Sequence, residues 1–220
     1  MSEAPDHNAL IRSIARRTLA PIGLRQRGRS RTWLDDQGWW LIVVEFQPSS
    51  WARGTYLNVG AMWLWREMDH VAFEFGGRIG EFVDVETASD IAGEIDHLAR
   101  RAASEVQRLR HALTTPIQAA RELLNKPAAG GWDFLHAATA AAVAGDPDMS
   151  FGALDRIEPS GLDAPEWQQR FWQEAQVLRS EVSNPAALQA RLNEAVQRSR
   201  ASLKLPEWKG SLPFAPRPAA

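Results

Sequence analysis

Six of the ten tryptophans in this chain lie between Trp33 and Trp65, in segments whose apolar residues alternate with the two-residue period of a β-strand. Tryptophan buries a large apolar body and keeps one N–H donor, so each ring needs a packed surface on the folded chain. Trp39 and Trp40 are neighbours in sequence and therefore project from opposite faces of a strand. If a helix covers one face of the sheet, one or two rings must lie on the other face, against the C-terminal helices or against a partner. The pattern predicts a sheet with aromatic side chains on both faces.

Turn residues divide this part of the chain into short apolar runs that are typical of strands. We expect strands at residues 29–34, 39–47, 55–65 and 70–75, with a short edge strand at 78–85. Asp35–Gly38 predicts a tight hairpin turn, and Gly76-Gly77 predicts the end of the fourth strand. Because consecutive strands joined by short loops usually pair with each other, we expect an antiparallel meander.

Helical periodicity surrounds the predicted sheet. Residues 8–20 and 90–113 carry apolar side chains at spacings of three and four, and both predict helices that pack on the sheet. Thr115-Pro116, Asp146-Pro147 and Asn184-Pro185 each combine a capping residue with a first-turn proline, which predicts a helix start.

The predicted domain organisation places a boundary at Pro127–Gly131, where proline, alanine and glycine interrupt the periodic segments. We expect an α+β domain at residues 1–126, with a four- or five-stranded antiparallel sheet packed on two helices. An all-helical domain at 131–203 and a proline-rich tail at 204–220 follow, and the apolar residues of the tail are suited to docking on this chain or on a partner.

Composition limits the chemistry that this chain can perform. It has no cysteine, which excludes disulfides, thiolate metal sites and cysteine nucleophiles. No segment approaches the roughly 18 consecutive apolar residues of a membrane helix. The first residues are polar and no apolar segment follows them, so we expect no secretory signal, no membrane partner and a cytoplasmic location.

Charge is unevenly distributed although the net charge is only −2. Seven arginines lie within residues 1–34, in the region from Arg12 to Arg31, and six acidic residues lie within 81–96. The basic segment is open to two interpretations: a nucleic-acid or anion patch, or a solvated surface that the acidic segment neutralises.

Three polar residues interrupt the predicted strands. Glu45, Gln47 and Asn58 lie where alternation predicts sheet surface or core, so buried members of the set need hydrogen-bond partners. One interpretation is a polar site on adjacent strands of the sheet. The other is that Gln47 and Asn58 hold the loop at 48–53.

One enzymatic alternative uses the same strands. Asp35 or Asp36, followed by Glu45 and Gln47, is similar to the carboxylate arrangement that holds Mg²⁺ in metal-dependent nucleases, and the arginines would then contact phosphates. Glutamine stands where such enzymes carry lysine, and the acid lies in a tight turn.

The five histidines, including His136, are expected at surface or capping positions, since their spacing forms no metal site. No nucleotide-binding or hydrolase motif is present. We therefore expect no catalytic residue, no metal and no cofactor.

Four short motifs occur in order in the first half of the chain: Leu19–Leu24, the basic run Arg25–Arg31, Glu45–Ser50 and Leu57–Gly60. Together they resemble a bacterial family of unknown function, domain of unknown function 4304, with its "plGF", "grtw", "fQ.s" and "vNlG" motifs, over about residues 8–115. Leu24 stands where the family usually has an aromatic residue. The resemblance implies a fold, but it assigns no activity and no catalytic residue to this chain.

The function that these observations favour is non-catalytic protein binding in a bacterial cell, as an adaptor or an immunity-type factor. Tryptophan and arginine dominate the energetics of protein interfaces, which favours this hypothesis. Nucleic-acid binding through Arg12–Arg31 is the alternative. The candidate binding residues are Arg27, Arg29, Arg31, Trp39, Glu45, Gln47, Trp51, Asn58 and Trp63.

Overall fold

The computed structural model describes residues 7–84, 90–159, 161 and 163–215. Within these residues the strands are β1 (Arg25–Gln26), β2 (Thr32–Asp36), β3 (Trp40–Pro48), β4 (Gly54–Trp63), β5 (Phe75–Arg78) and β6 (Val83–Asp84). The helices are α1 (His7–Leu19), α2 (Ile91–Ala112), α3 (Pro116–Leu124), α4 (Gly131–Val143), α5 (Pro147–Leu154), α6 (Glu166–Glu181) and α7 (Pro185–Ser202), and a 3₁₀ turn at Ala20–Ile22 follows α1.

The strands form one antiparallel sheet, which confirms the predicted α+β class. Its order is β1-β2-β3-β4-β5, and β6 pairs with β4 beside β5, so the sheet has six strands where four or five are expected. The predicted strand at 29–34 is displaced, because Gly28 has a left-handed φ of 58° and residues 27–31 turn between β1 and β2. Residue 85, the last of the predicted edge strand, lies outside the described residues.

The predicted fourth strand at 70–75 is wrong, and glycine explains the error. Residues 70–74 form no strand, whereas β5 runs through Gly76 and Gly77 and pairs Gly76 with Gly60 of β4. A Cβ atom at Gly60 would lie 2.3 Å from the carbonyl oxygen of Phe75, and one at Gly76 would lie 2.7 Å from that of Val59. The glycines therefore allow β4 and β5 to approach closely, rather than ending the strand.

A buried ion pair fixes α2 to the sheet and to the 3₁₀ turn. Arg110 donates from Nε to Oδ2 of Asp35 at 2.7 Å and from an Nη atom to the carbonyl oxygen of Ile22 at 2.7 Å. Gln37 donates to the same carboxylate oxygen at 2.8 Å. Asp35 is buried, so its charge needs donors such as these two side chains to compensate it.

The chain divides into two compact units, whose limits differ from the predicted domain boundary. A sheet unit comprises residues 1–62 and 70–110, and a helical unit comprises 63–69 and 111–220. The division falls before α3 because α3 buries Ala119, Ala120 and Leu123 and packs against α4. The Pro127–Gly131 segment is a turn between these two packed helices.

Within the helical unit, three helix starts follow the capping rule that the sequence predicts. Thr115, Asp146 and Asn184 each accept a hydrogen bond from a backbone N–H of the first turn, and proline occupies the first turn of each helix. The tail docks on its own unit up to Ala215. The backbone N–H of Leu212 donates to Asn193 at 2.9 Å, and the Leu212 side chain is buried.

Among the described residues, none of the helices combines the length and the apolar character that crossing a membrane requires.

Candidate functional site

The arginines of the basic segment lie in two different environments. Arg31 donates to Asn8 of α1 and is half-buried, so it is a structural contact between α1 and the start of β2. Arg25, Arg27 and Arg29 are exposed, and in the part of the chain that the structure describes none of them makes an ion pair or a side-chain hydrogen bond. These three residues occupy the β1–β2 hairpin and form what we call the arginine hairpin.

The predicted polar residues of the sheet meet in one cluster. Asn58 donates from Nδ2 to Gln47 Oε1 at 2.8 Å and to Glu45 Oε2 at 3.1 Å. Arg78 also donates to Gln47 Oε1, at 3.2 Å. Among the described residues, Gln47 and Asn58 thus bond to each other and not through their side chains to the loop at 48–53. A binding role for this cluster stays a prediction.

The carboxylates of the nuclease-like arrangement do not converge. Asp35 pairs with Ile42 and Glu45 pairs with Thr32, so the two acids lie three positions apart along β3, on opposite faces of the sheet. Asp36 shares a face with Glu45 but pairs with Leu41, about 13 Å away along the strand. The described residues contain no group of three or more acidic or histidine side chains placed to hold a metal ion.

Of the six clustered tryptophans, five are in the core. Trp33, Trp39, Trp40, Trp63 and Trp65 are each 5% exposed or less. Trp39 and Trp63 therefore cannot supply the interface area that the sequence suggests. The Trp63 and Trp65 rings stack at 5.2 Å and contact His136 of α4, so two rings are covered by a C-terminal helix, one of the two expected arrangements.

Trp51 is the exception and is 96% exposed. The backbone of its loop forms a turn in which Ser49 Oγ accepts hydrogen bonds from the backbone N–H groups of Trp51 (3.1 Å) and Ala52 (3.3 Å). Nearby on the same β3–β4 hairpin, the Tyr56 ring packs against Phe82 at 4.8 Å.

The polar cluster continues into this aromatic group. The Arg78 guanidinium stacks over Tyr56 at 3.8 Å while it donates to Gln47. We call the set the sheet-end surface. It consists of the linked residues Glu45, Gln47, Tyr56, Asn58, Arg78 and Phe82, of which Asn58 is buried, together with Trp51 in the loop that joins β3 to β4.

A cavity of about 680 Å³ opens in the helical unit, within the size range of small-molecule sites. Its aromatic walls come from the segment after β4 and from α4 and α6. They are Trp65, Trp132, His136, Trp167 and Phe171. Trp167 is 63% exposed and lies at the rim.

The walls of the cavity are held in place by contacts between their own rings. Trp132 packs edge-on against Phe171 at 4.6 Å, and the Arg66 guanidinium covers Trp132 at 3.6 Å. Trp65 donates from Nε1 to Nδ1 of His136 at 3.2 Å, which ties the segment after β4 to α4. These contacts make the cavity a preformed feature of the fold.

Charged residues surround the aromatic walls. Four arginines line the cavity, against three glutamates: Arg66, Arg170, Arg191 and Arg198, and Glu67, Glu166 and Glu174. Burial by the walls raises the pKa of Glu174 above its ordinary value, although Arg66, His136 and Arg191 act in the opposite direction. The Glu174 residue as a whole is nevertheless exposed, so the burial of its carboxyl group is partial. Among the described residues the Glu174 carboxylate accepts no hydrogen bond.

This cavity was not predicted from the sequence. His136 is expected at the surface but is 2% exposed and bonded to Trp65. Trp167 and Phe171 lie at helical spacing, which is typical of a core-facing stripe, and that pattern does not distinguish a cavity wall from a packed core. The signal of exposure in the sequence is a tryptophan among polar residues at the start of the helix, Glu166-Trp167-Gln168-Gln169-Arg170.

No family model matches this chain, and it has no match among curated proteins or among solved structures. The resemblance of residues 8–115 to domain of unknown function 4304 therefore stays a prediction.

Proposed function

We propose that this protein is a non-catalytic binding protein of the bacterial cytoplasm, an adaptor or immunity-type factor, and that it binds another protein through the sheet-end surface. The observation that carries the proposal is the 96% exposure of Trp51 in a loop whose backbone is fixed by Ser49. A large exposed ring on an ordered backbone loses little conformational entropy on binding, which is the property of an interface anchor.

The composition of the surface also supports a protein partner. Tryptophan, tyrosine and arginine are the residue types enriched at the energetic centres of interfaces. Tyr56 and Arg78 are held in place by Phe82 and Gln47, so they are presented in one fixed arrangement. The polar cluster supplies hydrogen-bonding groups beside this aromatic area.

The test begins with a photo-crosslinking amino acid at position 51, in cells that produce the protein, and continues with a titration of the purified crosslinked partner. We expect Trp51→Ala to weaken binding by roughly 30-fold or more, the factor that corresponds to a hot-spot residue. Trp167→Ala is the matched control, since it removes an exposed ring from the other unit, and should leave the affinity unchanged. Equal affinities of the wild type and Trp51→Ala for that partner would contradict the proposal.

A second candidate function, nucleic-acid binding, is favoured by the arginine hairpin. Arg25, Arg27 and Arg29 are exposed and make no ion pair within the described residues, so they are available to phosphates. Binding would then release counterions and weaken steeply as salt concentration rises.

For this candidate we expect the triple variant Arg25→Gln, Arg27→Gln, Arg29→Gln to lower the steepness of the log-affinity against log-salt plot by about three, roughly one per lost phosphate contact. The measurement is fluorescence anisotropy of a labelled 20-base-pair duplex between 50 and 200 mM salt. A control triple variant at Arg100, Arg101 and Arg121, which are also exposed, should keep the wild-type slope. If the two triple variants have the same slope, the hairpin is a solvated surface.

A further inference from the structure

We propose that the cavity of the helical unit is a binding site for a free mononucleotide, that is, a planar heteroaromatic base that carries a phosphate. The site is separate from the sheet-end surface, and the inference does not depend on the proposed protein partner. Three features of the cavity correspond to the three chemical parts of such a ligand: its flat ring, the hydrogen-bonding edge of that ring, and its phosphate.

The aromatic walls suit a flat ring. Trp65, Trp132 and Phe171 line the cavity, and Trp167 offers an exposed face at its rim. Nucleobases stack on aromatic side chains whatever their sequence, because every base has a flat π face. Aliphatic residues complete the walls, and Leu135, Leu178 and Leu192 add apolar surface without directional groups.

Glu174 suits the edge of a base. Its carboxylate lines the cavity and accepts no hydrogen bond within the described residues. A partly desolvated acceptor is stabilised by a ligand that brings N–H donors, and the amino and ring N–H groups of bases are such donors. The raised pKa of Glu174 agrees with this interpretation, because it reflects a carboxylate that its surroundings do not fully stabilise.

The arginines suit a phosphate. The planar guanidinium group binds phosphate oxygens in pairs, and four such groups line this cavity. Arg170 contacts Glu166, Arg191 contacts Glu181, and Arg198 contacts Glu67 and Glu194.

Most of these ion pairs lie close to solvent. Ion pairs near solvent contribute little to stability, so the exchange of a carboxylate for a phosphate at these arginines costs little. The mixture of signs also argues against a simple cation as the ligand. Four guanidinium groups would repel it, whereas a nucleotide presents a neutral donor edge to Glu174 and an anion to the arginines.

The experiment is calorimetric titration of the full chain with AMP, GMP, CMP and UMP, and in parallel with the nucleosides, ribose 5-phosphate and inorganic phosphate. We expect at least one nucleotide to bind, and to bind at least tenfold more tightly than its nucleoside or than either phosphate without a base. Equal binding of all phosphates would show an adventitious anion contact and overturn the proposal, as would no nucleotide binding up to millimolar concentration.

Variants locate the site. Trp167→Ala should weaken nucleotide binding roughly tenfold or more through lost stacking. Trp51→Ala, its matched control in the sheet unit, should leave binding unchanged. Both side chains are exposed, so both variants retain the fold, which circular dichroism checks.

Two further variants test the polar contacts. Arg191→Met should weaken the binding of the nucleotide and leave the binding of the nucleoside unchanged. Glu174→Gln should change the order of affinity among the four bases. If neither Trp167→Ala nor Glu174→Gln alters binding, the cavity is not the site.

A base with a phosphate can come from a free mononucleotide or from the end of a nucleic-acid strand. A single-stranded oligonucleotide with a terminal phosphate distinguishes these two ligands. Because the arginine hairpin also attracts polyanions, the oligonucleotide is titrated against the hairpin triple variant. Tight binding of this oligonucleotide to the cavity, without binding of any mononucleotide, would overturn the assignment to a free nucleotide.

Discussion

Replacing Trp63 with alanine is expected to lower the free energy of unfolding of the helical unit by about 3–5 kcal/mol, the usual cost of deleting a large buried aromatic side chain. Trp63 is completely buried, its ring stacks on Trp65, and both rings contact His136. The variant therefore leaves a void. It also removes the ring that stacks on Trp65 and helps to hold Trp65 in position for its hydrogen bond to His136.

Urea denaturation followed by far-ultraviolet circular dichroism measures this loss. Trp51→Ala is the control, because it deletes the same side chain at a fully solvated position and should change stability by less than about 0.5 kcal/mol. A loss below 1 kcal/mol in Trp63→Ala would mean that the surrounding helices collapse onto the vacated space, contrary to the rigid packing described above.

The second large effect is expected at the ion pair between Asp35 and Arg110. Asp35→Ala should lower the free energy of unfolding by about 2–4 kcal/mol, because it leaves a partly buried guanidinium without its carboxylate. Arg110→Met keeps the apolar stem of the side chain and removes the charge, leaving the Ile22 carbonyl without this donor. In a double-mutant cycle the two changes should be strongly non-additive, since either one breaks the same interaction.

The neighbouring pair Arg108–Glu105 provides the comparison on the same helix. Its arginine is half-exposed, and Glu105→Ala should change stability by at most about 0.5 kcal/mol. If Asp35→Ala and Glu105→Ala cost the same, burial does not strengthen the Asp35–Arg110 pair, and α2 is held to the sheet by apolar packing alone.

Local patterns predicted most of the sheet and of the helices. Alternation locates β2, β3 and β4, and a capping residue before proline locates the starts of α3, α5 and α7. The position of β5 was predicted wrongly because local rules treat Gly76 as the end of a strand. In the structure Gly76 lies inside β5, opposite Gly60 of β4. The need for glycine there depends on this pairing, which local sequence does not show.

The candidate sites were predictable to different degrees. The hydrogen bond between Gln47 and Asn58 was predictable because the two residues lie on adjacent strands. The burial of Trp39 and Trp63 was not, because it depends on side chains that are distant in sequence and pack over these rings. The cavity could not be predicted, because its walls come from the segment after β4, from α4 and from α6, which only tertiary packing brings together. No sequence motif connects these three segments.

The borders of the sheet restrict the ways in which it can recognise another chain. One border is β1, two residues long and charged; the other is shared by β5 and β6, which are short, separated by a break, and interrupted by Gly76 and Gly77 with positive φ angles. Such borders offer few free backbone groups in register, which disfavours the addition of an incoming extended segment as a further strand. The described part of the sheet therefore favours recognition through side chains over recognition through strand pairing, and short, glycine-broken borders also disfavour edge-to-edge pairing of two copies.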